Sequence, residues 1–512
     1  MEHTLSAGDL LDAAHGESPA IEFEGEAWSY AELDRRANRF AHWFRIIGLQ
    51  PGDRVSLLVG NEPALVAAYF GAFRAGLIAN PINTRLTAPE IAYVVNHAGS
   101  ACVIVSADLM PGFDATRPLL EGAPHVLALA DGAAVAACDD GPLGISAPNP
   151  HDGALLLYTS GTTGKPKGVL LTHGNLVAAT RIVAHAFEMS SDDRTMCVMP
   201  LFHTNALMFS HLPFMFRGAT VLLRRRFSAT TFWSDCRASH ANSASTSPTI
   251  LALLLAHEDK GPPCGETGLK YIKVASAPTP VELAERFEAR FGERLLLETF
   301  GLTETTAITT MNPLHGARKF GSIGQVVPPQ ELRIVDDEGR PMQAEQPGEI
   351  AIAGPTVMRE YFRDPENTRR AMSGRWFRSG DLGRMDADGF VFIVGRKKEM
   401  ILRGGENISP LEIEQIAEMH PGVREAAAVG LPDAIWGEVV GLCVVRDAPL
   451  APDEIVAFCR GHLSAFKVPQ RIAFVEALPR NAMGKVVRGR LREMFDREPD
   501  EAAAAGTEGA RT

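Results

Sequence analysis

Two periodicities take turns along the first two-thirds of the chain, and that alternation limits its fold more than any other feature. From Tyr30 to Ile47 apolar residues recur at helical spacing (Leu33, Ala37, Phe40, Phe44, Ile47), until Gly48 and the Pro51-Gly52 pair stop the helix. The run VSLLV at 55–59 then reads as a buried strand. PALVAAYFGAFRAG is followed by LIANPIN, and APEIAYVVNHAG by ACVIV, so helices and short buried strands continue to alternate. This rhythm predicts an α/β fold of doubly wound sheets, parallel strands with helices on both faces, to about residue 350. Beyond it EIAIAG, GFVFIVG and the turn DADG (386–389) predict a small, mostly antiparallel β-rich region. After the charged, glycine-rich GRKKEMILRGGEN (395–407), helical and strand patterns resume, which predicts a second, smaller α+β domain from about 396 to 492.

At 512 residues the chain exceeds what one hydrophobic core serves, in keeping with at least two domains. No apolar stretch reaches the eighteen or so residues of a membrane span. The start, MEHTLSAGDLLDAAHGE, lacks the basic flank of a secretory or transit peptide, so a cytoplasmic location is expected. Seven cysteines lie far apart without CxxC spacing, which argues against zinc and against a disulfide framework. A net charge of -12 disfavours nucleic acid as a partner. One region departs from this balance: from Arg460 to Arg492 eight basic residues face the single acid Glu476. The last segment, EPDEAAAAGTEGART, lacks apolar residues able to anchor it, and residues 493–512 are expected to be a disordered tail.

The stretch LLLYTSGTTGKPKGVLLTH (155–173) places hydroxyls, glycines and two lysines between two apolar runs. Glycine allows close backbone approach to a ligand, and exposed N–H groups suit phosphate oxygens. Lys165 and Lys167 add charge, and Thr159, Ser160, Thr162 and Thr163 add donors. Gly161 and Gly164 are three apart and Pro166 follows the lysine, so the spacing is not that of a Walker A loop. An exposed hairpin turn accounts for the same residues. The loop alone does not decide between the two.

Further motifs follow in order: PLFHTNAL (200–207), ASAP (275–278), ETFGLTE (298–304), FRSGDLG (377–383), GRKKEMILRGGENISPLEIE (395–414) and PRNAMGK (479–485). With YTSGTTGKPKGV they resemble the adenylate-forming enzymes, among them the AMP-forming acyl-CoA synthetases, over roughly residues 25–492. The resemblance implies ATP, Mg²⁺ and coenzyme A as cofactors, an N-terminal adenylation domain (1–394), a hinge (395–399) containing Lys398, and a mobile C-terminal domain (400–492). It implies that a substrate carboxylate attacks the α-phosphate of ATP, after which a thiol displaces AMP. Glu304 matches the magnesium residue, with Thr303 beside it on phosphate. Phe300 and Gly301, with Ala277, Pro278, Glu298 and Thr299, would enclose adenine. Asp381 and Arg396 match the ribose and nucleotide contacts, and Lys485 the lysine between the two reacting anions. Arg403, Gly404, Gly405 and Glu406 would line a pantetheine tunnel.

The acid is less defined. His203 matches the residue bordering the carboxylate, Asn205 follows it, and Ser245, Thr246, Ser247, Thr305 and Thr306 add polar groups, with Phe209 at the presumed pocket floor. Donors left unpaired against an apolar chain cost about 1–3 kcal/mol each, which favours a small polar acid such as sulfoacetate, oxalate or malonate. A medium-chain fatty or aromatic acid is the alternative. Malonate-activating relatives carry an arginine where Thr299 stands, so Arg318 or Lys319 is the remaining source of a countercharge. Lys467 or Arg471 could meet the CoA phosphates; Arg224, Arg225 and Arg226 could too, although a solvated strand end explains them better. A carrier protein could replace CoA, but no carrier domain follows residue 492. A homodimer is compatible with the sequence. A non-catalytic nucleotide-binding regulator would not need Lys485, Glu304 and Asp381 together.

Overall fold

The computed structural model describes residues 5–11, 15–159, 166–306, 308–403, 406–433, 435–480 and 486–495. The 30–47 periodicity becomes the helix Tyr30–Ile46, whose N-terminal Ser29 side chain accepts from the Glu32 N–H, satisfying one of the free donors of the first turn. Its buried face (Leu33, Ala37, Phe40, Ala41, Phe44) packs on the helix Pro63–Arg74. Gly71 makes the close approach feasible. A Cβ there would lie 2.5 Å from the Phe40 Cβ and 2.8 Å from the Ala37 carbonyl oxygen.

A seven-stranded sheet runs in the order Glu360–Tyr361, Lys167–Thr172, Gly153–Thr159, Ile78–Pro81, Arg54–Leu58, Cys102–Val105, His125–Ala128. Gly153–Thr159 and the strands from Ile78–Pro81 onward are parallel, as the alternation predicts, while Lys167–Thr172 turns back antiparallel on Gly153–Thr159. A nine-stranded sheet has six consecutive parallel strands: Leu296–Phe300, Tyr271–Val274, Ser243–Thr246, Arg194–Cys197, Thr220–Leu223 and Pro19–Phe23. Short antiparallel strands close both its edges. Parallel strands buried on both faces explain their near-continuous apolar runs, such as TVLL and CVIV.

The chain divides into two compact units. The first comprises residues 1–346, 350–379 and 385–392; the second comprises 347–349, 380–384 and 393–512. In the second, Val423–Asp433 pairs antiparallel with Gly437–Arg446, and alternation along both strands splits the core. Ala426, Ala428, Val440 and Leu442 face Ile413 and Ile455 of two helices. Ala427, Val429, Cys443 and Val445 face Leu491 and Phe495.

That second face corrects the expected tail. Residues 493–495 complete the helix Arg488–Phe495, and the Phe495 ring is buried while its carbonyl accepts from Arg471. Met494 and Phe495, packed in one cluster with Leu491, anchor this last helical turn. Residues 496–512 lie outside the described ones.

Candidate active site

The predicted residues fall into two groups, one in each unit. In the first unit they gather beyond the carboxyl ends of the parallel strands Ser243–Thr246, Tyr271–Val274 and Leu296–Phe300, where open α/β sheets bind ligands. After Val274 the chain turns at Ser276, whose φ is 80°, and leaves Ala277 and Pro278 exposed. Phe300 is half-buried at the end of its strand, and the Thr299 hydroxyl donates to the Val274 carbonyl. The Glu298 carbonyl accepts from the Asn312 N–H, and burial pushes its carboxyl up to about 7.

Thr303, Glu304 and Thr305 form one 3-10 turn. The Tyr361 hydroxyl donates to Glu304 Oε1 at 2.8 Å, and the Glu304 carbonyl accepts from the Met358 N–H at 2.7 Å. Lys167 Nζ lies 4.9 Å from the centre of the Tyr361 ring, within cation–π range. One tyrosine thus joins the lysine at the end of the glycine-rich loop to the predicted metal carboxylate. Sequence reading missed Tyr361, because an aromatic pair after a loop carries no periodic signal. Thr159 and Lys167 pair directly across the hairpin. Ser160, Gly161, Thr162, Thr163, Gly164 and Lys165 lie outside the described residues, as do Gly404, Gly405 and Lys485.

Among the described residues no group of three or more His, Cys, Asp or Glu could hold a metal. A single carboxylate still suits Mg²⁺, which binds through one or two carboxylates and takes its remaining ligands from phosphate and water.

On the acid side, the Asn205 amide donates to Ser276 Oγ at 3.1 Å, and its oxygen accepts from Ser245 Oγ at 2.7 Å. The Thr305 hydroxyl accepts from Leu302 N–H and from Thr309 Oγ1. Thr306 donates to the Thr356 carbonyl. These groups are bonded within the protein, so they are not the unpaired donors expected from the sequence. His203 is different. Burial pushes its imidazole down to about 3, so it is neutral at working pH, and its buried Nε2 has no hydrogen-bond partner among the described residues.

The suggested countercharges are also committed elsewhere. Arg318 donates to the carbonyls of Pro313, Arg294, Leu296 and Leu314, and Lys319 bridges Asp386 and Asp388. Both are tied to the scaffold in part by partners 22 to 69 residues away, which spacing cannot reveal.

In the second unit Arg396 Nε lies 2.7 Å from Asp381 Oδ1, and Asp381 is buried. Gly380, at φ 74°, turns the chain just before it; its N–H donates to Glu349 Oε1 and its carbonyl accepts from Lys397. Lys398 is exposed in the turn that follows Arg396. Arg403 donates to the Phe466 carbonyl at 2.6 Å and lies over Trp436, and Glu406 is exposed. Lys467, offered above for a CoA phosphate, is held by both oxygens of Glu412 at 2.7 and 2.8 Å. Arg224 donates to Ser239 and Arg225 to both oxygens of Glu24, as expected of a strand end facing solvent.

Comparison with known proteins agrees with these motifs. The family model described as AMP-binding enzyme matches residues 11–362, and that of the AMP-binding enzyme C-terminal domain matches 412–485. A sulfoacetate–CoA ligase of Cupriavidus necator is 37% identical, over 91% of this chain and 92% of the relative. A feruloyl-CoA synthase of an Amycolatopsis species is 34% identical, over 93% and 96%. The crystal structure of ATP-bound MatB from Rhodopseudomonas palustris superposes with a TM-score of 0.89 at 31% identity, covering 96% of this chain and 99% of that one. The chain belongs to the AMP-binding enzyme family and is an AMP-forming acid–CoA ligase.

Proposed function

We propose that the acid is small and polar, of the size of sulfoacetate, oxalate or malonate. Phe209 carries this reading: it is 3% exposed, its ring meets Phe187 edge-on, and it lies one helical turn beyond Asn205. A bulky ring at that depth leaves room for a short acid. The sulfoacetate–CoA ligase among the relatives is consistent with it.

In the first half-reaction a carboxylate oxygen attacks the α-phosphorus and the bond to pyrophosphate breaks. Lys485 stands between the two anions and offsets their repulsion, while Lys165, Lys167 and the loop's N–H groups take up the charge of the departing pyrophosphate. Glu304 and Thr303 would hold Mg²⁺ with the phosphates, and the metal would supply further neutralisation of charge. Asp381 accepts from the ribose hydroxyls beside Arg396. His203, neutral and with a ring nitrogen unengaged, borders the carboxylate without adding charge. In the second half the 400–492 domain turns about Lys398 in the 395–399 hinge. Arg403, Gly404, Gly405 and Glu406 then face the pantetheine arm, and the thiolate displaces AMP from the acyl carbon.

A pyrophosphate-release panel of sulfoacetate, oxalate, malonate, acetate, benzoate and octanoate tests the substrate; preference for octanoate or benzoate refutes it. Lys485→Ala should slow adenylation about 10²–10³-fold, the usual loss for one preorganised group. The same variant should still make thioester from supplied acyl-adenylate, and equal loss in both steps contradicts the two-step assignment.

A further inference from the structure

Among the described residues Lys273 is the one lysine or arginine that is fully buried. It sits on the central strand Tyr271–Val274, in register with Ser245 of the next strand, and so on the same face. Its Nζ donates to the Phe209 carbonyl at 2.6 Å. The ring centres of Phe214, Phe187 and Tyr271 lie 4.8, 5.5 and 5.7 Å away. The nearby carboxylate Asp193 is held by Lys270 and Asn242, and Lys273 has no ion pair among the described residues. Burial pushes its ammonium down to about 7.

The need for this lysine is written into the chain it touches. In an α-helix the Phe209 carbonyl would accept from the N–H of residue 213, and residue 213 is proline. The helix widens to a π-turn over Leu207–His211, as helices do where the ladder fails. Lys273 supplies a donor to that carbonyl from the Tyr271–Val274 strand.

Two contacts fix how the segment lies. Asn205 meets Ser276, and four residues later Phe209 meets Lys273, three residues earlier on the strand. The segment therefore runs from the open end of the strand inward, and Lys273, one residue before the strand ends at Val274, lies deeper than Ser276.

We propose that Lys273 sets the length of acid accepted: by holding the Phe209 carbonyl it keeps the bulged turn, and the Phe209 ring, against the Tyr271–Val274 strand, where they close the far end of the acid site. The proposal rests on the small-acid reading. A longer apolar chain would have to push this turn aside and leave a buried ammonium facing hydrocarbon, which is strongly unfavourable.

The experiment measures pyrophosphate release by wild type, Lys273→Met and Lys273→Gln with straight-chain acids from acetate to octanoate, plus oxalate, malonate and sulfoacetate. Lys273→Met should shift the ratio of kcat/KM for hexanoate over acetate by about tenfold or more, within the range of discrimination that a pocket's shape gives to one methylene. Lys273→Gln still donates to the carbonyl and should keep the wild-type ranking. An unchanged ranking in Lys273→Met, or an equal shift in Lys273→Gln, overturns the proposal. Wild-type preference for octanoate refutes the small-acid reading; wild-type preference for small acids with no change in Lys273→Met refutes only the role of Lys273. Should Lys273→Met fail to fold, Phe209→Ala, which keeps the carbonyl and removes the ring, is read in the same panel: gain of longer acids supports a closed end here, and an unchanged ranking overturns it.

Discussion

Each unit of the molecule encloses one prominent cation, and the two are held in opposite ways. Arg488 of the second unit donates to both oxygens of Glu414, to Glu399 and to the Ala428 carbonyl. Burial opposes its charge, but the Glu414 and Glu399 carboxylates outweigh it and hold the guanidinium above the usual arginine value. Lys273 of the first unit has a single carbonyl and three aromatic rings, and burial draws it down toward neutrality. A cation matched by carboxylates ties a helix and a sheet together. A cation left with one dipole keeps part of its capacity for interaction, which marks a place where shape and charge are used rather than cancelled.

The largest effect should come from breaking the matched set. Arg488→Ala leaves Glu414 buried without its partner, and should destabilise the second unit by about 3 kcal/mol. Hydrogen exchange would show it as lost protection in Pro410–Glu418 and Val423–Asp433 with the first unit unchanged.

Lys273→Met should act in the other direction. It removes an unmatched buried charge while losing one hydrogen bond, so stability should hold or rise, by no more than about 2 kcal/mol near pH 7. A fall of 3 kcal/mol in denaturant unfolding would place Lys273 in the same structural class as Arg488.

The pH dependence sharpens the contrast. The Lys273 value is about 7 in the folded chain against 10.5 for the free side chain, so between them the unfolded state holds the extra proton. Wild-type stability relative to Lys273→Met should therefore climb as pH rises from about 7 toward 10, and a flat difference would contradict the burial. Glu298, pushed up from 4.5 to about 7, has the reverse sign: its contribution declines as pH rises through that interval, and Glu298→Gln should remove the decline. The smallest effect belongs to the exposed pair of Arg225 and Glu24, where Arg225→Ala should change unfolding free energy by less than about 1 kcal/mol.

How much of this was legible in the sequence depended on range. Tyr30–Ile46 and the parallel strands follow from local periodicity, and the residues at strand ends from motifs whose order matches their position along the sheet. The fate of the polar groups on the acid side did not follow. Asn205 finds Ser245 and Ser276, forty and seventy-one residues away, and Arg318 finds carbonyls on another strand. Pairings at that distance are set by packing, not by spacing. Lys273 was hidden for the same reason: in YIKVAS a lone lysine looks like a solvent-facing strand residue, and only its bond to the Phe209 carbonyl, 64 residues away, shows where it is used.

Pro213 has a consequence for how this protein could change over time. The donor it lacks is missing covalently, so neither salt nor pH restores it, and wherever this segment is helical and buried the Phe209 carbonyl needs a donor from another element. Positions 213 and 273 therefore form a coupled pair despite their separation of sixty residues. In a lineage that regained an N–H at 213 the lysine would become dispensable, while loss of the lysine first would expose the carbonyl. The double variant Pro213→Ala with Lys273→Met should accordingly differ from the sum of the two single changes, a non-additivity expected of residues that serve one atom.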